Sequence, residues 1–381
     1  MIDKTALKAE AFRLGFWLCG VTTPEPPPHL DTYNAWIDAG RHADMSYLAS
    51  PRALSARANP LTLLPDCQTI IILAAPYPAP SASEDIHSGQ IAGYARSTDY
   101  HNVLPPRLEA LATWIARQSG HPIQWRGFTD SAPILEKELA QRAGLGWIGK
   151  NTTLINPDIG SCFLLGELFL DIFIEPDSPF PADRCGTCTR CIDACPTGCI
   201  LPDRTVDAAR CLSYLTIENK GQIPSDLRPH LGAHIFGCDV CQTVCPWNQK
   251  APIPAQQTLF PPIAALQPLP LCDELQLDNT VFLERFRHTP VLRAKRRGYL
   301  RNVAVTLGNM AQPEAIRALT TCLCNETEAL VRAHAAWALG RTPFPEAHAA
   351  LQAAIETETD PAVQSEIQQA LKNFSQRKNS L

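Results

Sequence analysis

Residues 185–196 read CGTCTRCIDACP, and residues 238–246 read CDVCQTVCP. The first run has the C-x2-C-x2-C-x3-C-P spacing of bacterial ferredoxins, in which three thiolates bind one 4Fe-4S cubane and the fourth binds the other. The second run lacks its first cysteine, because Ile235 stands where a regular repeat would place it. Cys211, which lies between the runs, is the natural replacement. The sequence therefore predicts two 4Fe-4S clusters, one of which has a displaced ligand.

The ferredoxin spacing also assigns the ligands, because each run contributes to both clusters. We expect the first cluster to be held by Cys185, Cys188, Cys191 and Cys245. We expect the second cluster to be held by Cys195, Cys211, Cys238 and Cys241. Two cubanes that share their runs in this way lie close enough for electrons to pass between them.

Two other uses of cysteine fit this pattern less well. Structural zinc sites also use C-x2-C pairs, but each run here has a further cysteine and ends in Cys-Pro. The sequence shows no charged leader followed by an apolar stretch and a cleavage site. We therefore expect a cytoplasmic location, and we do not expect disulfides. The remaining seven cysteines lack ligand spacing and are expected to be reduced core residues: Cys19, Cys67, Cys162, Cys199, Cys272, Cys322 and Cys324.

Composition limits the classes of protein to which the chain can belong. Its 381 residues suggest two or three domains, and its net charge of -5 gives no global sign of nucleic-acid binding. No apolar run reaches the ~20 residues that span a bilayer, so no membrane association is expected.

Hydrophobic patterning predicts a multidomain α/β plus α protein. Residues 1–175 alternate helical and strand-like stretches, which predicts an α/β domain, although no nucleotide-binding motif names its cofactor. We expect a ferredoxin-type module at 176–250, a proline-rich connection with a basic segment at 251–294, and a helical domain at 295–381. Within the first domain we expect helices near 4–14, 106–118 and 133–143, and strands near 69–75 and 161–174.

The C-terminal region repeats itself with a period of 31 to 32 residues. Residues 300–309 (LRNVAVTLGN) correspond to 331–341 (VRAHAAWALGR), and a weaker third copy spans 363–371. This period fits a pair of short antiparallel helices stacked as in HEAT repeats. An ordinary helical subdomain with chance similarity is the alternative.

A dense basic segment precedes these repeats. It holds seven basic and no acidic residues between positions 285 and 301: Arg285, Arg287, Arg293, Lys295, Arg296, Arg297 and Arg301. Such density suits a phosphate backbone, but a charge run is often only a solvated face. These residues alone leave both interpretations open.

The electrons that the clusters deliver require an acceptor, which we expect in residues 1–175. Asp130 is the best acid there, although an aspartate directly before a helix is most often its N-cap. Cobalamin is a plausible acceptor because its cobalt takes electrons singly. The D-x-H-x-x-G motif that supplies a lower histidine ligand is absent; Asp99-Tyr100-His101 fails because Leu104 replaces the glycine.

Four long stretches resemble the epoxyqueuosine reductase family, and the resemblance covers nearly the whole chain. They are residues 130–152 (DSAPILEKELAQRAGLGWIGKNT), 185–199 (CGTCTRCIDACPTGC), 211–224 (CLSYLTIENKGQIP) and 235–248 (IFGCDVCQTVCPWN). The chain departs from the family at Thr98, which stands where the family has glycine, and at Cys199, which replaces a more usual alanine.

The resemblance implies an activity and its cofactors. It implies a base-off cobalamin in the N-terminal domain, two 4Fe-4S clusters fed by an external electron donor, and reduction of the epoxide of epoxyqueuosine in the tRNA anticodon loop. Asp130 matches the family's proposed proton donor. Residues that match motifs at the corrin are Arg57, Lys150, Asn151, Ser161 and Ser213. Candidate tRNA contacts are Lys220, Arg293, Lys295, Arg296, Arg297 and Arg301. We expect a monomer.

Two rival functions remain at the level of sequence. A corrinoid iron-sulfur enzyme related to reductive dehalogenases would share both cofactors but act on a small molecule, and would not need the basic segment. A non-enzymatic electron carrier or scaffold would bind no corrin.

Overall fold

A computed structural model describes residues 2–78, 88–181, 183–250, 258–266 and 269–378. Its helices are α1 (Lys4–Arg13), α2 (Leu30–Asp38), α3 (Pro51–Ala58), α4 (Tyr100–Val103), α5 (Pro105–Ser119), α6 (Glu136–Arg142), α7 (Arg190–Asp193), α8 (Leu212–Ile217), α9 (Val240–Thr243), α10 (Pro246–Lys250), α11 (Leu271–Glu274), α12 (Asn279–Arg285), α13 (Lys295–Met310), α14 (Pro313–Asn325), α15 (Ala329–Arg341), α16 (Pro345–Ile355) and α17 (Pro361–Lys378). Its strands are β1 (Leu18–Thr22), β2 (Thr69–Pro76), β3 (Gln90–Ile91), β4 (Trp125–Phe128), β5 (Trp147–Ile148), β6 (Leu154–Ile155), β7 (Phe163–Leu170) and β8 (His234–Phe236).

Where it is described, the chain forms two compact units, each built from separated segments. The first unit comprises Met1–Pro80, Ser97–Ala209 and Asp239–Pro262. The second unit comprises Ser81–Arg96, Arg210–Cys238 and Ile263–Leu381. The four-segment division expected from the sequence stays a prediction, and much of its proline-rich connection (251–257 and 267–268) lies outside the described residues.

A four-stranded antiparallel sheet in the order β1-β2-β7-β4 is the centre of the first unit. Strand β2 is buried along its whole length because it pairs with β1 on one side and β7 on the other. Helix α6 contributes Leu139 and Ala140 to the apolar cluster on one face of the sheet. On the other face Leu108 of α5 packs over Gly127 and Gly166, where an added Cβ would lie 3.3 Å from the leucine side chain. The sheet edge at the end of β4 leads directly to Asp130.

The helices and strands expected in residues 1–175 are present, with small shifts at their ends. The apolar run at 69–75 forms β2, and the stretches at 4–14 and 106–118 form α1 and α5. Helix α6 begins at Glu136, three residues later than expected, since the chain first makes a turn through Pro133. Helix and strand alternate in this region, but the sheet is antiparallel.

The second unit contains the C-terminal helices, whose packing repeats. Helices α13, α15 and α17 pack side by side, with α14 and α16 beside them. A Cβ added to Gly308 would lie 2.7 Å from Cα of Ala338, and one added to Gly340 would lie 2.9 Å from Cα of Ala370. The two contacts are equivalent, because each residue of the second pair follows its counterpart by 32 positions. The repeat period predicted from the sequence thus corresponds to the interval between equivalent contacts of successive packed helices.

No helix in the described ranges is both long and apolar enough to cross a bilayer.

Candidate functional site

Asp130 lies in the turn between β4 and α6 and is exposed to solvent. The Tyr100 hydroxyl donates a 2.7 Å hydrogen bond to its Oδ2 atom, and its own N–H donates a 2.8 Å hydrogen bond to Oε1 of Glu136. Its φ of 51° is a left-handed conformation, which is uncommon for a residue with a side chain. The helix-cap interpretation of Asp130 is wrong, because the N-cap of α6 is Leu135. Asp130 is therefore an exposed carboxylate whose backbone and side chain are each held by a hydrogen bond.

Two further carboxyl groups lie behind Asp130. Burial, and then the charge of Asp130, raises the pKa of Glu136 to about 7. Glu167, on β7, is completely buried, and neither of its carboxyl oxygens has a hydrogen-bond partner among the described residues. Burial raises the pKa of Glu167 well above its ordinary value, and Glu136 and Asp130 raise it further. A buried polar group without a partner costs about 1–3 kcal/mol, so Glu167 lowers the stability of the fold.

Two cations accompany these three carboxyl groups. Lys137 donates a 2.7 Å hydrogen bond to the carbonyl oxygen of Thr152, and the surrounding protein atoms lower its pKa. Arg57 is buried in the last turn of α3, and its guanidinium lies 5.1 Å from the centroid of the Tyr33 ring. The charges of Lys137 and Arg57 both act on Glu136 and oppose the rise of its pKa. Arg57 and Asp130, which the sequence motifs selected separately, thus belong to one charged cluster.

The four cysteines expected to hold the first cluster lie near one another. Burial raises the pKa of Cys191, and the neighbouring Cys185 and Cys245 raise it further. Burial also raises the pKa of Cys245; hydrogen bonds from the backbone of Trp247 and Asn248 oppose this rise, and Cys185 and Cys188 add to it. The Trp147 indole N–H lies 3.5 Å from Sγ of Cys185 and points to it, and Phe180 and Trp247 pack in the same apolar cluster. Cys185 and Cys245 thus lie in one apolar cluster with aromatic rings, and Cys188 and Cys191 are within electrostatic range of them.

A single zinc ion draws its thiolate ligands in to about 2.3 Å. In the described part of the chain, no group of three or more His, Cys, Asp or Glu side chains is arranged to hold one ion.

The cysteines expected to hold the second cluster are divided between the two units. Cys195 and Cys241 belong to the first unit, whereas Cys211 and Cys238 belong to the second. Cys211 is the N-cap of α8, the helix that also carries the half-buried Ser213. The charge of Cys241 acts on Lys137, as the charges of Glu136 and Asp130 do. One expected cluster ligand is therefore within electrostatic range of the cluster around Asp130.

Lys150, Asn151 and Ser161 bind the loops that carry the cysteines. The Lys150 ammonium donates hydrogen bonds of 2.7 Å and 3.0 Å to the carbonyl oxygens of Gly186 and Cys188. The Asn151 side-chain amide lies 3.5 Å from the carbonyl oxygen of Cys241. The Ser161 hydroxyl is buried and accepts hydrogen bonds from the amides of Asn248, at 2.9 Å, and Gln242, at 3.2 Å. These contacts give the three residues a structural role, and their contact with a corrin stays a prediction.

Only some residues of the basic segment are exposed to solvent. Arg301 is completely buried, and its guanidinium donates hydrogen bonds of 2.6 to 2.9 Å to the carbonyl oxygens of Leu215, Asn219 and Gly221. Burial, and then the charge of Arg297, lowers the pKa of Arg301 to about 10. As a correction to the sequence prediction, Arg301 is placed where it closes a loop of its own unit and cannot reach a phosphate.

The other basic residues differ in whether their side chains already bind a carboxylate or a carbonyl oxygen. Arg296 makes a two-pronged ion pair with Glu326, at 3.1 Å and 2.5 Å, and Arg293 makes one with Glu218, at 2.9 Å and 3.1 Å. The Lys220 ammonium donates to the carbonyl oxygens of Ile217 and Arg293. Within the basic segment, all of which the structure describes, the exposed side chains for which no ion pair with a carboxylate is found are those of Arg287, Lys295 and Arg297.

Comparison with known proteins identifies the family. A family model described as "Epoxyqueuosine reductase QueG, DUF1730" matches residues 57–131. The epoxyqueuosine reductase of Pseudomonas aeruginosa is 40% identical to this chain over 335 residues, which are 86% of this chain and 91% of that protein. The chain belongs to the epoxyqueuosine reductase family. The family predicted from the sequence motifs is thereby confirmed.

Solved structures of epoxyqueuosine reductases have the same fold over nearly their whole length. One, a complex with an epoxyqueuosine-modified tRNA-Tyr stem loop, has a TM-score of 0.90 and 29% identity, and the match covers 98% of each chain. Another, from Bacillus subtilis, has its catalytic loop, named for an aspartate, swung out of the active site. Its TM-score is 0.87 at 29% identity, and the match covers 97% of this chain and 98% of that one.

Two further family models match other parts of the chain. A 4Fe-4S double cluster binding domain matches residues 184–248, a range that includes all eight expected ligands, and HEAT repeats match residues 290–372. An iron-sulfur cluster domain and HEAT-like repeats are thus both confirmed. The epoxyqueuosine reductase model begins at Arg57 and ends one residue after Asp130.

Sequence reasoning missed three members of the charged cluster. Tyr100 was considered only as part of the incomplete motif Asp99-Tyr100-His101, and Lys137 lies in the helix that follows Asp130. Glu167 carried a usable signal, because it is the one charged residue in the apolar strand FLLGELFL. A charge inside a buried strand requires a partner or a function.

Proposed function

We propose that this chain reduces the epoxide of epoxyqueuosine, at the wobble position of tRNA, to the alkene of queuosine. Support comes from the 40% identity to an enzyme of that name over 91% of its length, and from the fold shared with a relative that holds the modified stem loop. The single observation that carries the proposal is the placement of Asp130, which is exposed to a substrate and fixed by Tyr100 and Glu136.

Asp130 acts as the proton donor in this proposal. The epoxide oxygen would otherwise leave its carbon as an alkoxide, and protonation by Asp130 stabilises it as the C–O bond breaks. Tyr100 keeps the carboxyl group oriented through its 2.7 Å hydrogen bond. The net reaction takes up two electrons and two protons and releases one water for each alkene formed.

We propose two 4Fe-4S clusters with the ligand sets predicted from the spacing. The first set suits a cubane because Cys185 and Cys245 lie in one apolar cluster with aromatic rings, and Cys188 and Cys191 are within electrostatic range of them. The second set includes Cys195, Cys211, Cys238 and Cys241. Lys150 and Asn151 would fix these loops around the clusters through their carbonyl contacts.

We also propose a base-off cobalamin beside Asp130. The cations Arg57 and Lys137, together with the carboxyl groups, provide the donors and acceptors that suit a corrin's amide side chains. Arg57 and Ser213 would contact the corrin directly, whereas Lys150, Asn151 and Ser161 would act by holding their segment in place. When bound, cobalamin and the clusters supply the electrons for the reduction.

For tRNA we propose contacts through the exposed Lys295 and Arg297, with Lys220, Arg293 and Arg296 beside them. The external electron donor, the monomeric state and the cytoplasmic location stay predictions from the sequence. The two rival functions lose support, since the similarity to enzymes named epoxyqueuosine reductase extends along nearly the whole chain.

Mass analysis of anticodon nucleosides tests the function. After incubation of epoxyqueuosine-containing tRNA with the reconstituted, reduced enzyme, we expect a nucleoside lighter by one oxygen atom. Asp130→Ala should lower this conversion by at least ~100-fold, at the low end of the effect of a general acid. Iron content, cobalamin binding and tRNA affinity should be unchanged in Asp130→Ala. No conversion by the wild-type holoenzyme would refute the function, and full activity of Asp130→Ala would refute the role of Asp130.

A further inference from the structure

Trp147 is a buried residue whose single polar side-chain group faces an expected cluster ligand. The residue is 1% exposed, and its indole Nε1 lies 3.5 Å from Sγ of Cys185, to which the N–H donates. An indole N–H donates but cannot accept, and it usually has an acceptor when it is buried. Within the described residues, the acceptor found for this N–H is the Cys185 sulfur.

The local fold fixes the direction of the Trp147 ring. In β5, Trp147 pairs with Ile155 of β6, and a Cβ added to the preceding Gly146 would collide with the carbonyl oxygen of Ile155. The rings of Phe180 and Trp247 pack against the Trp147 ring, with centroids 5.6 Å and 5.2 Å away. A side chain packed in this way keeps one rotamer, because a rotation would require its neighbours to move.

The loop that carries the Cys185 sulfur is also held in place. The Cys185 N–H donates a 2.8 Å hydrogen bond to Oδ1 of Asp183, whose carboxylate makes an ion pair with Arg204. The Lys150 ammonium donates a 3.0 Å hydrogen bond to the carbonyl oxygen of Cys188. Since Arg204 balances the charge of Asp183, Lys150 adds positive charge beside this loop.

A buried N–H that points to a sulfur suits a thiolate bound to iron. A neutral thiol is a weak acceptor, whereas a thiolate carries negative charge and accepts a stronger hydrogen bond. Reduction of a 4Fe-4S cluster adds one more negative charge, which its sulfur atoms share. A hydrogen bond to a ligand sulfur therefore stabilises the reduced form more than the oxidised form, and such bonds are one determinant of the reduction potential of a cluster.

We propose that Trp147 raises the reduction potential of the first 4Fe-4S cluster by donating its indole N–H to the Cys185 thiolate. This role rests on the proposed function and its ligand set, in which Cys185 binds that cluster. Trp147 acts through Cys185 and touches no substrate, and the positive charge of Lys150 acts in the same direction. A higher potential favours uptake of one electron from the external donor, a step that breaks no bond.

The test is a redox titration of the reconstituted holoenzyme, followed by EPR spectroscopy without tRNA. Trp147→Phe keeps an aromatic ring in the cluster but removes the N–H. At a fixed potential, the ratio of reduced to oxidised first cluster should fall about fivefold in this variant, a shift of ~40 mV since a tenfold change is ~59 mV for one electron. The potential of the second cluster and the iron and sulfide contents should stay at wild-type values.

Trp247→Phe is the matched control. The Trp247 ring belongs to the same apolar cluster and packs edge-on against Trp147, but among the described residues its side chain makes no hydrogen bond to a thiol. Both cluster potentials should therefore be unchanged in Trp247→Phe. Equal shifts in the two variants would show that ring packing sets the potential, and would overturn the role of the Trp147 N–H.

A second measurement detects the hydrogen bond in the wild-type enzyme. With tryptophan labelled by ¹⁵N in the indole ring, electron spin echo spectra of the reduced clusters should show coupling to a labelled nitrogen. This coupling should be lost in Trp147→Phe and kept in Trp247→Phe. Because the wild-type spectrum is itself decisive, the measurement remains informative if Trp147→Phe fails to assemble its clusters. A wild-type spectrum without such coupling would overturn the proposal.

The outcomes are distinct from those for the function itself. An unchanged potential in Trp147→Phe would overturn the role of Trp147 while queuosine formation stands. Full iron content in Cys185→Ala would overturn both the first ligand set and the role of Trp147. A wild-type holoenzyme that holds both clusters but forms no queuosine would instead overturn the proposed function, and the shift of potential in Trp147→Phe would still be measurable.

Discussion

The hydroxyl group of Tyr100 donates a 2.7 Å hydrogen bond to Oδ2 of Asp130, across 30 positions of sequence. Tyr100 begins α4 and is buried, whereas Asp130 is exposed at the end of β4. A buried partner therefore fixes the direction of an exposed carboxyl group. This is the arrangement that a proton donor needs, because transfer depends on a set distance to the substrate.

Tyr100→Phe should lower kcat by about ten- to a hundredfold with KM unchanged, since a hydrogen bond to a charged group contributes ~1.5–3 kcal/mol. Single-turnover and steady-state assays measure this split. Tyr299→Phe is the control, because its hydroxyl donates an equal 2.7 Å hydrogen bond to Glu274 in the second unit. It should lower the melting temperature but leave kcat alone. Equal losses of kcat in both variants would exclude a positioning role for Tyr100.

Cys211→Ala should lose one of the two clusters, because Cys211 replaces the missing first cysteine of the second run. Iron and labile sulfide should fall by about half relative to the wild type, as expected when one of two cubanes is lost. Cys199→Ala is the matched control. Cys199 is buried with its sulfur 3.4 Å from that of Cys195, but it has no place in either ligand set. Full iron content in Cys211→Ala would show that another residue completes the second cluster.

Replacing Lys295 and Arg297 together by alanine should weaken tRNA binding and reduce its dependence on salt. Two lost phosphate contacts would lower the slope of log affinity against log salt by about 1.5. Arg317→Ala changes an equally exposed arginine on α14 and should not alter the slope. Filter binding at several salt concentrations measures the slope. An unchanged slope in the double variant would move the tRNA contact away from this segment.

Gly340→Ala should destabilise the helical repeats, because its new Cβ would lie 2.6 Å from Cβ of Ala370. Overpacking of this kind costs ~1–3 kcal/mol. Gly298→Ala in α13 is the control. There the nearest atom to an added Cβ is 3.7 Å away, and alanine should stabilise the helix by ~0.5–1 kcal/mol. Melting of the full chain should move in opposite directions for the two variants; a rise for both would contradict the close helix contact.

Local sequence patterns were sufficient to predict those features that depend on residues close to one another in the sequence. The cysteine spacing predicted an iron-sulfur domain, which the 4Fe-4S double cluster model over 184–248 confirms. The 32-residue interval between Gly308 and Gly340 reappears as two equivalent helix contacts. The apolar run at 69–75 predicted a strand, and the structure shows β2 buried along its whole length.

The same local reasoning failed where the outcome depends on distant partners. Asp130 has the sequence position of an N-cap, yet α6 begins six residues later and the carboxylate binds Tyr100 instead. Arg301 belongs to a basic run, yet three carbonyl oxygens of residues 215–221 bind it in the interior. The charge pattern of a segment does not predict which of its residues will be buried by contacts with another loop.

The sequence by itself determined the family, the iron-sulfur domain, the helical repeats and the choice of Asp130, because ligand spacing and repeat period are properties of short segments. Only the tertiary structure brought Tyr100, Glu136 and Glu167 around Asp130 and separated the buried Arg301 from the exposed Arg297. The physical reason is that burial and pKa depend on groups that meet in space, and strands β4 and β7, which carry or lead to two of these carboxyl groups, become neighbours only in the folded sheet.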